Sequence, residues 1–222
     1  MTSTLEKQAV RDPSMQLACA AMGITSPEAI DALCGIAVTR RLKKGEHLVE
    51  QGELPRCIAF VLSGVMRTFY VDARGKEVTD CLIDRIDLPV IAAADLHSPS
   101  LETVEALTPS SLVSLDIGEL EQLVATSLPV AVAYIKIMDR AWKIPWTMRT
   151  IVCQQDARGR YEWFLREYPG LIDRIPHYYV ASFLSITPVT LSRVRRALKR
   201  EKDAESASKA EEGCQAGGLA KS

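Results

Sequence analysis

The segment from Val38 to about Asp116 constrains the fold most, because short strand-like runs alternate there with turn-forming residues. These runs are rich in β-branched and aromatic side chains, which suit a pleated sheet. They are Cys57–Leu62, Val65–Val71, Val78–Ile83 and Leu112–Asp116. Turn signals separate them, at Lys44-Gly45-Glu46, Gln51-Gly52-Glu53, Ser63-Gly64 and Asp72-Ala73-Arg74-Gly75. Strands of this length, with a turn about every eight to twelve residues, predict an antiparallel sandwich, barrel or roll.

Helical patterns stand on both sides of this segment. Pro13–Gly35 is helical in pattern, and Ser26 followed by Pro27 predicts a second helix start within it. Serine caps the first turn of a helix, and proline suits the first helical position. The pattern becomes helical again from Ile117, and Asp156–Leu171 forms a shorter amphipathic helix. A sheet domain followed by helices places the fold in the α+β class.

The most regular helical segment carries apolar side chains at heptad spacing. The stripe consists of Val130, Tyr134, Ile137, Ala141, Ile144, Met148 and Ile151. Such a stripe predicts a dimer seam, although the same helix packed on its own domain would show it too. We favour the seam, because a second stripe is available to face the sheet domain. That second stripe is Ile135, Met138 and Trp142. Pro145 should kink or interrupt the helix.

Charge is unevenly distributed along the chain. The net charge is −1, yet residues 174–202 carry seven Lys or Arg side chains against one acid, Glu201. A basic patch confined to one end of a chain is typical of a module that contacts DNA.

This basic segment has the pattern of two short helices joined by a tight turn. His177–Leu184 is the first helix, with Val180, Ala181 and Leu184 expected to point inward. Ser185-Ile186 turns the chain, and Thr187 with Pro188 caps and begins a second helix that ends at about Arg200. Its inner face is predicted to carry Leu191, Val194 and Leu198, and its outer face Val189, Arg193, Arg196 and Arg200.

The pattern predicts a helix-turn-helix whose second helix enters the major groove of DNA. Arg193 is the expected base reader, since its guanidinium matches O6 and N7 of guanine. Phosphate contacts, which position a protein without reading sequence, suit other side chains. These are His177, Thr187, Thr190 and Arg196. The full predicted DNA-binding set is His177, Thr187, Pro188, Val189, Thr190, Ser192, Arg193, Arg196 and Arg200.

Several other classes of protein do not fit the sequence. The six cysteines and three histidines are scattered without a C-x-x-C pair, so no disulfide framework, metal or other cofactor is expected. No nucleophile elbow, phosphate loop or acid–base pair stands out, so we do not expect an enzyme. The chain has no signal peptide pattern and no apolar run of about 20 residues. We therefore expect a cytoplasmic protein that does not associate with a membrane.

Taken together, the motifs resemble those of the Crp/Fnr superfamily of bacterial regulators over about residues 30–200. The segments that carry the resemblance are Leu42–Glu46 (LKKGE), Glu50–Glu53 (EQGE), Phe60–Gly64 (FVLSG), Thr103–Leu107 (TVEAL) and Val180–Arg193 (VASFLSITPVTLSR). Each glycine motif is weak alone, but their order and spacing match the family.

The resemblance implies a homodimer in which a β-roll of the cyclic-nucleotide-binding type precedes a winged helix-turn-helix. The two recognition helices would then meet successive major grooves of double-stranded DNA. RNA polymerase is a further candidate partner, and a small-molecule effector is left unidentified. The expected organisation is a flexible arm (1–12), the β-roll domain (13–126), the dimerisation helix (127–153), the helix-turn-helix domain (154–202) and a disordered tail (203–222).

Departures from the family pattern bear on ligand and sequence preference. Family members that bind cyclic nucleotides carry a Gly-Glu pair and then Arg-Ser or Arg-Thr. Here the stretch 84–94 reads DRIDLPVIAAA, and Ser100-Leu101 stands where Arg-Ser would be. A desolvated phosphate needs a paired cation, so tight binding of cyclic AMP or cyclic GMP is not expected. Candidate effector-pocket residues are Arg85, Ser100 and Leu101.

The DNA module departs from the family as well. Val189 stands where the family usually has a base-contacting glutamate, so the preferred sequence should differ from that of relatives. Ser185 replaces the usual turn glycine, which costs backbone energy if its φ is positive. An alternative to a DNA regulator is a small-molecule-binding module that has lost operator binding, although the retained arginines argue against it.

Overall fold

Short strands form two antiparallel sheets in the computed structural model, which describes residues 13–91 and 96–218 (side chains at positions 144, 202 and 205–218 excepted). The strands are β1 (Ala37–Leu42), β2 (His47–Val49), β3 (Cys57–Ser63), β4 (Met66–Val71), β5 (Glu77–Ile83), β6 (Pro89–Val90), β7 (Thr103–Ala106) and β8 (Ser110–Asp116). One four-stranded sheet has the order β1-β8-β3-β6 and the other β2-β7-β4-β5. The predicted antiparallel roll is confirmed. The arm predicted for residues 1–12 lies outside the described residues.

Helices precede and follow the roll along the described chain. They are α1 (Pro13–Ala21), α2 (Pro27–Ile36), α3 (Ile117–Thr126), α4 (Leu128–Gln154), α5 (Ala157–Glu167), α6 (His177–Phe183) and α7 (Pro188–Gly218), with a 3₁₀ turn at Leu171–Asp173. No helix among the described residues is long and apolar enough to cross a membrane. The chain divides into two units, Met1–Thr150 and Ile151–Ser222.

Side-chain caps explain where several helices begin. The Ser26 hydroxyl accepts a hydrogen bond from the Ala29 amide at the start of α2, as its position before Pro27 predicted. Asp116 caps α3, and Asp156 caps α5 by accepting from the Gly159 amide at 2.8 Å. Each cap satisfies an amide that lacks a partner in the first helical turn.

The first half of α4 belongs to the hydrophobic core of the first unit. Val130, Ala133 and Ile137 are buried together with residues of α1, α2 and the sheet that contains β3 and β8. Because these three lie at spacings of three and four, they form one helical face. The start of α4 is therefore anchored on the roll.

Aromatic side chains build the core of the second unit. Phe164 and Tyr168 stack with ring centroids 5.2 Å apart, and Phe183 of α6 meets Tyr168 edge to face at 5.7 Å. Val180, Ala181 and Leu184 are fully buried, as the sequence predicted. The core thus fixes α6 against α5, because edge-to-face and offset pairs add to the energy of burial.

One predicted boundary at the C-terminal end is wrong, because helix α7 continues to Gly218 and does not end at about Arg200. The described residues 151–218 contain helices and no strand, so the predicted wing is not seen among them. The disordered tail proposed for residues 203–222 stays a prediction. The tail contains alanine, glutamate and lysine and no proline, so helical propensity can extend α7 without an apolar stripe.

Candidate nucleic-acid interface

The turn between α6 and α7 has the backbone that a helix-turn-helix requires. Ser185 adopts φ 54°, the left-handed conformation that favours glycine. The Ser185 amide donates to the Ser182 carbonyl at 3.0 Å, and the Ile186 amide donates to the Ala181 carbonyl at 3.0 Å. These bonds close the end of α6 and reverse the chain direction. The backbone strain anticipated at Ser185 is therefore present.

Ser185→Gly is expected to stabilise the protein by about 0.5–1 kcal/mol, because glycine adopts a positive φ without steric cost. Ser192→Gly is the matched control, since Ser192 lies inside α7, where glycine should destabilise by about 0.5 kcal/mol. Urea unfolding of the two variants and the parent chain measures both changes. A loss of stability in Ser185→Gly would contradict the strain assigned to this turn.

Thr187 and Pro188 begin α7 as predicted. The Thr187 hydroxyl accepts from the Thr190 amide at 3.1 Å, and Pro188 is the first residue of the helix. The hydroxyls of Thr187 and Thr190 also lie 2.8 Å apart, so they share a hydrogen bond. A hydroxyl has one donor and two acceptor sites, so the pair keeps hydrogen-bonding capacity for an outside group.

The first turns of α7 have one buried and one exposed face. Leu191 is 1% exposed, and Val194 and Leu198 are half-buried. The residues predicted to meet DNA lie on the exposed side, except that Thr190 is half-buried. The exposed ones are Thr187, Pro188, Val189, Ser192, Arg193, Arg196 and Arg200. The two-sided pattern inferred from spacing is therefore present in the structure.

The outer face of α7 is strongly positive. Arg193, Arg196 and Arg200 follow one another at spacings of three and four, which keeps them on one side of the helix. None of the three forms an ion pair with another residue of the described ranges. Three uncompensated guanidinium groups on one exposed helix face attract a polyanion and can hydrogen-bond to phosphate or to base edges.

Arg195 is a feature of this surface that the sequence analysis missed. Its Nη1 lies 2.8 Å from Nδ1 and 3.0 Å from Nε2 of His177, the exposed first residue of α6. Arg195 also interacts with the Tyr161 hydroxyl. The contact ties the predicted phosphate ligand His177 to α7. The only sequence signal was the position of Arg195 between the two faces of the helix.

The heptad stripe of α4 packs on its own domain at its start, so the predicted dimer seam is wrong there. Val130 and Ile137 are fully buried in the core, and Tyr134 packs partly buried against it. Farther along the stripe, Met148 is buried, while Ala141 and Ile151 are half-buried. The side chain of Ile144 lies outside the described residues. Side chains already enclosed by the roll cannot form a seam with a second copy.

A different face of α4 is exposed and apolar; we call it the outer α4 face. It consists of Leu128, Val132, Ile135, Trp142 and Trp146, which are 77%, 47%, 58%, 48% and 61% exposed. Ile135 and Trp142 had been predicted to face the roll, whereas only Met138 of that stripe packs against the core. Helix α4 is apolar on two sides, and spacing alone does not tell which side meets the roll. Helix α4 continues through Pro145, so the proline does not interrupt it.

The predicted effector-pocket residues are engaged elsewhere or exposed. Arg85 Nε lies 3.4 Å from Oδ1 of Asp87, in an ion pair. Ser100 is buried, and its hydroxyl donates to the Glu102 carbonyl at 2.5 Å. Leu101 is 71% exposed. Arg85, the one cation among these three residues, is thus paired with a carboxylate.

Two carboxyl groups meet beside a bulge in β5. The register of β4 and β5 shifts between Thr68 and Phe69, which leaves Asp80 as the extra residue. Asp80 and Glu102 share a hydrogen bond. Burial, followed by the neighbouring Asp80, raises the pKa of Glu102 to about 7. A paired carboxyl site of this kind repels an anion rather than holding one.

The stability of the roll is expected to fall between about pH 5 and pH 8 because of Glu102. Since its folded pKa lies above the unfolded value near 4.5, the folded state binds the proton more tightly. The stabilisation is present below the unfolded pKa and is lost as the pH rises through about 7. Glu102→Gln should remove roughly 1–2 kcal/mol of this change in urea unfolding. Asp203→Asn removes an exposed carboxylate of α7 and should leave the pH dependence of stability unchanged. A pH dependence in Glu102→Gln equal to that of the wild type would contradict the raised pKa of Glu102.

The fold and this surface define a class of protein: a β-roll domain followed along the chain by a long helix and a helix-turn-helix with a basic recognition helix. Residues 39–127 match the family model of the cyclic nucleotide-binding domain. The sequence has no match among curated proteins.

Solved structures share the fold at low sequence identity. FixK2 from Bradyrhizobium japonicum has a TM-score of 0.66 and 16% identity, covering 75% of this chain and 86% of its own. The c-di-GMP-responsive global regulator CLP from Xanthomonas campestris has a TM-score of 0.61 and 14% identity, covering 80% and 93%. A transcriptional regulator described as of the Crp/Fnr family, from Eubacterium rectale, has a TM-score of 0.60 and 17% identity, covering 80% and 85%. The chain thus shares its fold with these regulators, one of which is described as of the Crp/Fnr family.

Proposed function

We propose that the protein is a transcription regulator that binds double-stranded DNA sequence-specifically as a homodimer. The observation that carries this proposal is the first part of α7, where Leu191 is buried while Arg193, Arg196 and Arg200 are exposed without ion pairs to described residues. A helix with this arrangement presents its charged side to a groove while its apolar side stays on the domain.

The chemistry of the exposed side divides into two tasks. Arg193 lies one turn from the start of α7 and can donate two parallel hydrogen bonds to guanine. Val189, 61% exposed, offers methyl groups that can contact a thymine methyl but accept no hydrogen bond. His177, Arg196 and Arg200 suit phosphates on either side of the groove. The preferred site should therefore contain guanine opposite Arg193 and thymine near Val189.

A second copy of the chain is the expected partner of the outer α4 face. Five large apolar side chains on one helix face form a contiguous patch rather than scattered exposure. Their spacing of four, three, seven and four residues fits a coiled-coil seam between two identical helices. A twofold dimer would place two recognition helices on half-sites about one DNA turn apart.

The roll is assigned a sensing role without a cyclic nucleotide. The hydrogen-bonded Asp80–Glu102 pair and the ion-paired Arg85 support the absence of tight cyclic AMP binding. We assign the chain no catalytic step, and RNA polymerase is the partner on which a DNA-bound regulator would act. The alternative, a ligand-binding module without an operator, is disfavoured by the uncompensated arginines of α7.

The proposal is tested by selecting duplexes from a random library and titrating them by fluorescence anisotropy at two salt concentrations. Tight binding to the selected duplex, at least about a thousandfold stronger than to a scrambled one and steeply weakened by salt, is expected. Weak binding with no dependence on sequence or salt would favour the ligand-binding module.

A further inference from the structure

We propose that Arg160 is a positioning residue that joins the helix-turn-helix to the end of α4 and thereby sets the spacing between the two half-sites of the operator. Arg160 lies in the first turns of α5 and was not singled out by the sequence analysis. The inference rests on the proposed function, because it concerns how a dimer fits a paired DNA site.

The Arg160 guanidinium bonds to four backbone carbonyl groups from two places in the second unit. On one side, Nη2 donates to the Val152 carbonyl at 2.7 Å and Nε donates to the Gln155 carbonyl at 2.9 Å. On the other side, Nη1 donates to the Leu184 and Ser185 carbonyls at 3.2 and 3.3 Å. One planar side chain therefore links the last turn of α4 to the turn before α7.

These carbonyls need partners from outside their own helices. Val152 lies in the last turn of α4 and Gln155 directly follows it, where carbonyl groups have no amide partner within the helix. Leu184 and Ser185 hold the same position at the end of α6. A cation at a helix C-terminus also interacts favourably with the helix dipole. Arg160 therefore supplies hydrogen-bond donors to carbonyl groups at the ends of both α4 and α6.

Arginine suits this place better than any other residue. Its five donors lie in one plane and point in different directions, so they reach both carbonyl pairs without a change of rotamer. Lysine has a single ammonium group on a flexible stem and cannot span both pairs. The junction is also tightly packed, since a Cβ atom added at Gly159 would lie 3.2 Å from the Gln155 Cβ. The end of α4 therefore has little freedom relative to the turn.

This joint has a consequence for DNA recognition. The Leu184–Ser185 turn directly precedes α7, so whatever holds the turn also holds the start of the recognition helix. If two copies pair through α4, Arg160 ties the turn before each recognition helix to the last turn of α4. A change of two base pairs between half-sites shifts one of them by about 7 Å and rotates it by about 70°. A rigid joint resists this change, whereas a loose one accommodates it.

The test compares duplexes that hold one selected half-site with duplexes that hold two half-sites at the best spacing or about two base pairs away from it. Binding of full-length wild type, Arg160→Met and Arg160→Lys is measured by anisotropy. Arg158→Met is the control, because Arg158 lies on the same helix but contacts Glu162 and Glu201 rather than α4. For Arg160→Met we expect at least about a tenfold loss of preference for the best spacing, with half-site affinity within about threefold of wild type.

Arg160→Lys should fall between wild type and Arg160→Met, and Arg158→Met should keep the wild-type spacing preference. An unchanged spacing preference in Arg160→Met would overturn the inference. A parallel fall of half-site affinity and spacing preference would overturn it as well, since that result means a damaged helix-turn-helix. Wild type without half-site binding or without any preferred spacing would instead refute the proposed dimeric DNA regulator, and the inference with it.

Discussion

Arg193→Ala is expected to weaken binding of the selected duplex by about a hundredfold or more. A bidentate arginine–guanine contact contributes about 1–3 kcal/mol to base discrimination, and a homodimer makes the contact twice. Arg193 is exposed on α7 and forms no ion pair with a described residue, so its removal should leave the fold intact. Discrimination between guanine and other bases at the contacted position should fall with the affinity. Both effects are measured by anisotropy titrations against the selected duplex and against duplexes in which another base replaces the contacted guanine.

Arg166→Ala is the matched control for this substitution. Arg166 is exposed near the end of α5, so its variant loses the same charge away from the recognition helix. Its effect on affinity should stay within about threefold, and its base preference should not change. Equal losses in the two variants would mean that Arg193 acts only through net charge. Binding that Arg193→Ala leaves unchanged would remove α7 from the interface.

The parts of the fold that follow from local signals were predictable from the sequence. The strands of the roll are short apolar runs bounded by glycine turns. Each run lies within a few residues of its turns, so a short stretch of sequence is enough to predict a strand. The start of α7 follows from Thr187 and Pro188, whose cap acts within one helical turn. The buried Leu191 and the exposed Arg193 follow from the helical repeat. Local rules therefore suffice for the buried and exposed faces of α7, although not for the contact between Arg195 and His177.

Features that depend on distant contacts were not predictable in this way. The apolar spacing of α4 fits either side of the helix, and only packing of Ile137 into the roll decides between them. The partners of Arg160 at Leu184 and Ser185 lie more than twenty residues away and are backbone groups, which carry no sequence signal. The extension of α7 to Gly218 reflects helical propensity, which leaves no apolar stripe in the sequence to mark it.

Trp146→Glu is expected to convert the homodimer into a folded monomer. A carboxylate in the seam of a twofold dimer lies near its copy from the partner and loses water as the dimer forms. At several kcal/mol for the two copies, the dimer dissociation constant should rise by about a thousandfold or more. Trp146 is 61% exposed in the single chain, so thermal stability measured at low protein concentration should change little. Analytical ultracentrifugation over a range of concentrations measures the dissociation constant.

Two further variants separate the outer α4 face from the heptad stripe. Leu54→Glu makes the same kind of change at a side chain that is 57% exposed and lies between β2 and β3, and it should leave the dimer intact. Ile137→Glu places a carboxylate in the core of the roll, so it should unfold the first unit rather than yield a folded monomer. A folded, monomeric Ile137→Glu together with a dimeric Trp146→Glu would restore the heptad stripe as the seam. The reverse pattern would assign dimerisation to Trp142, Trp146 and their neighbours on the outer α4 face, which are apolar and exposed in the folded chain.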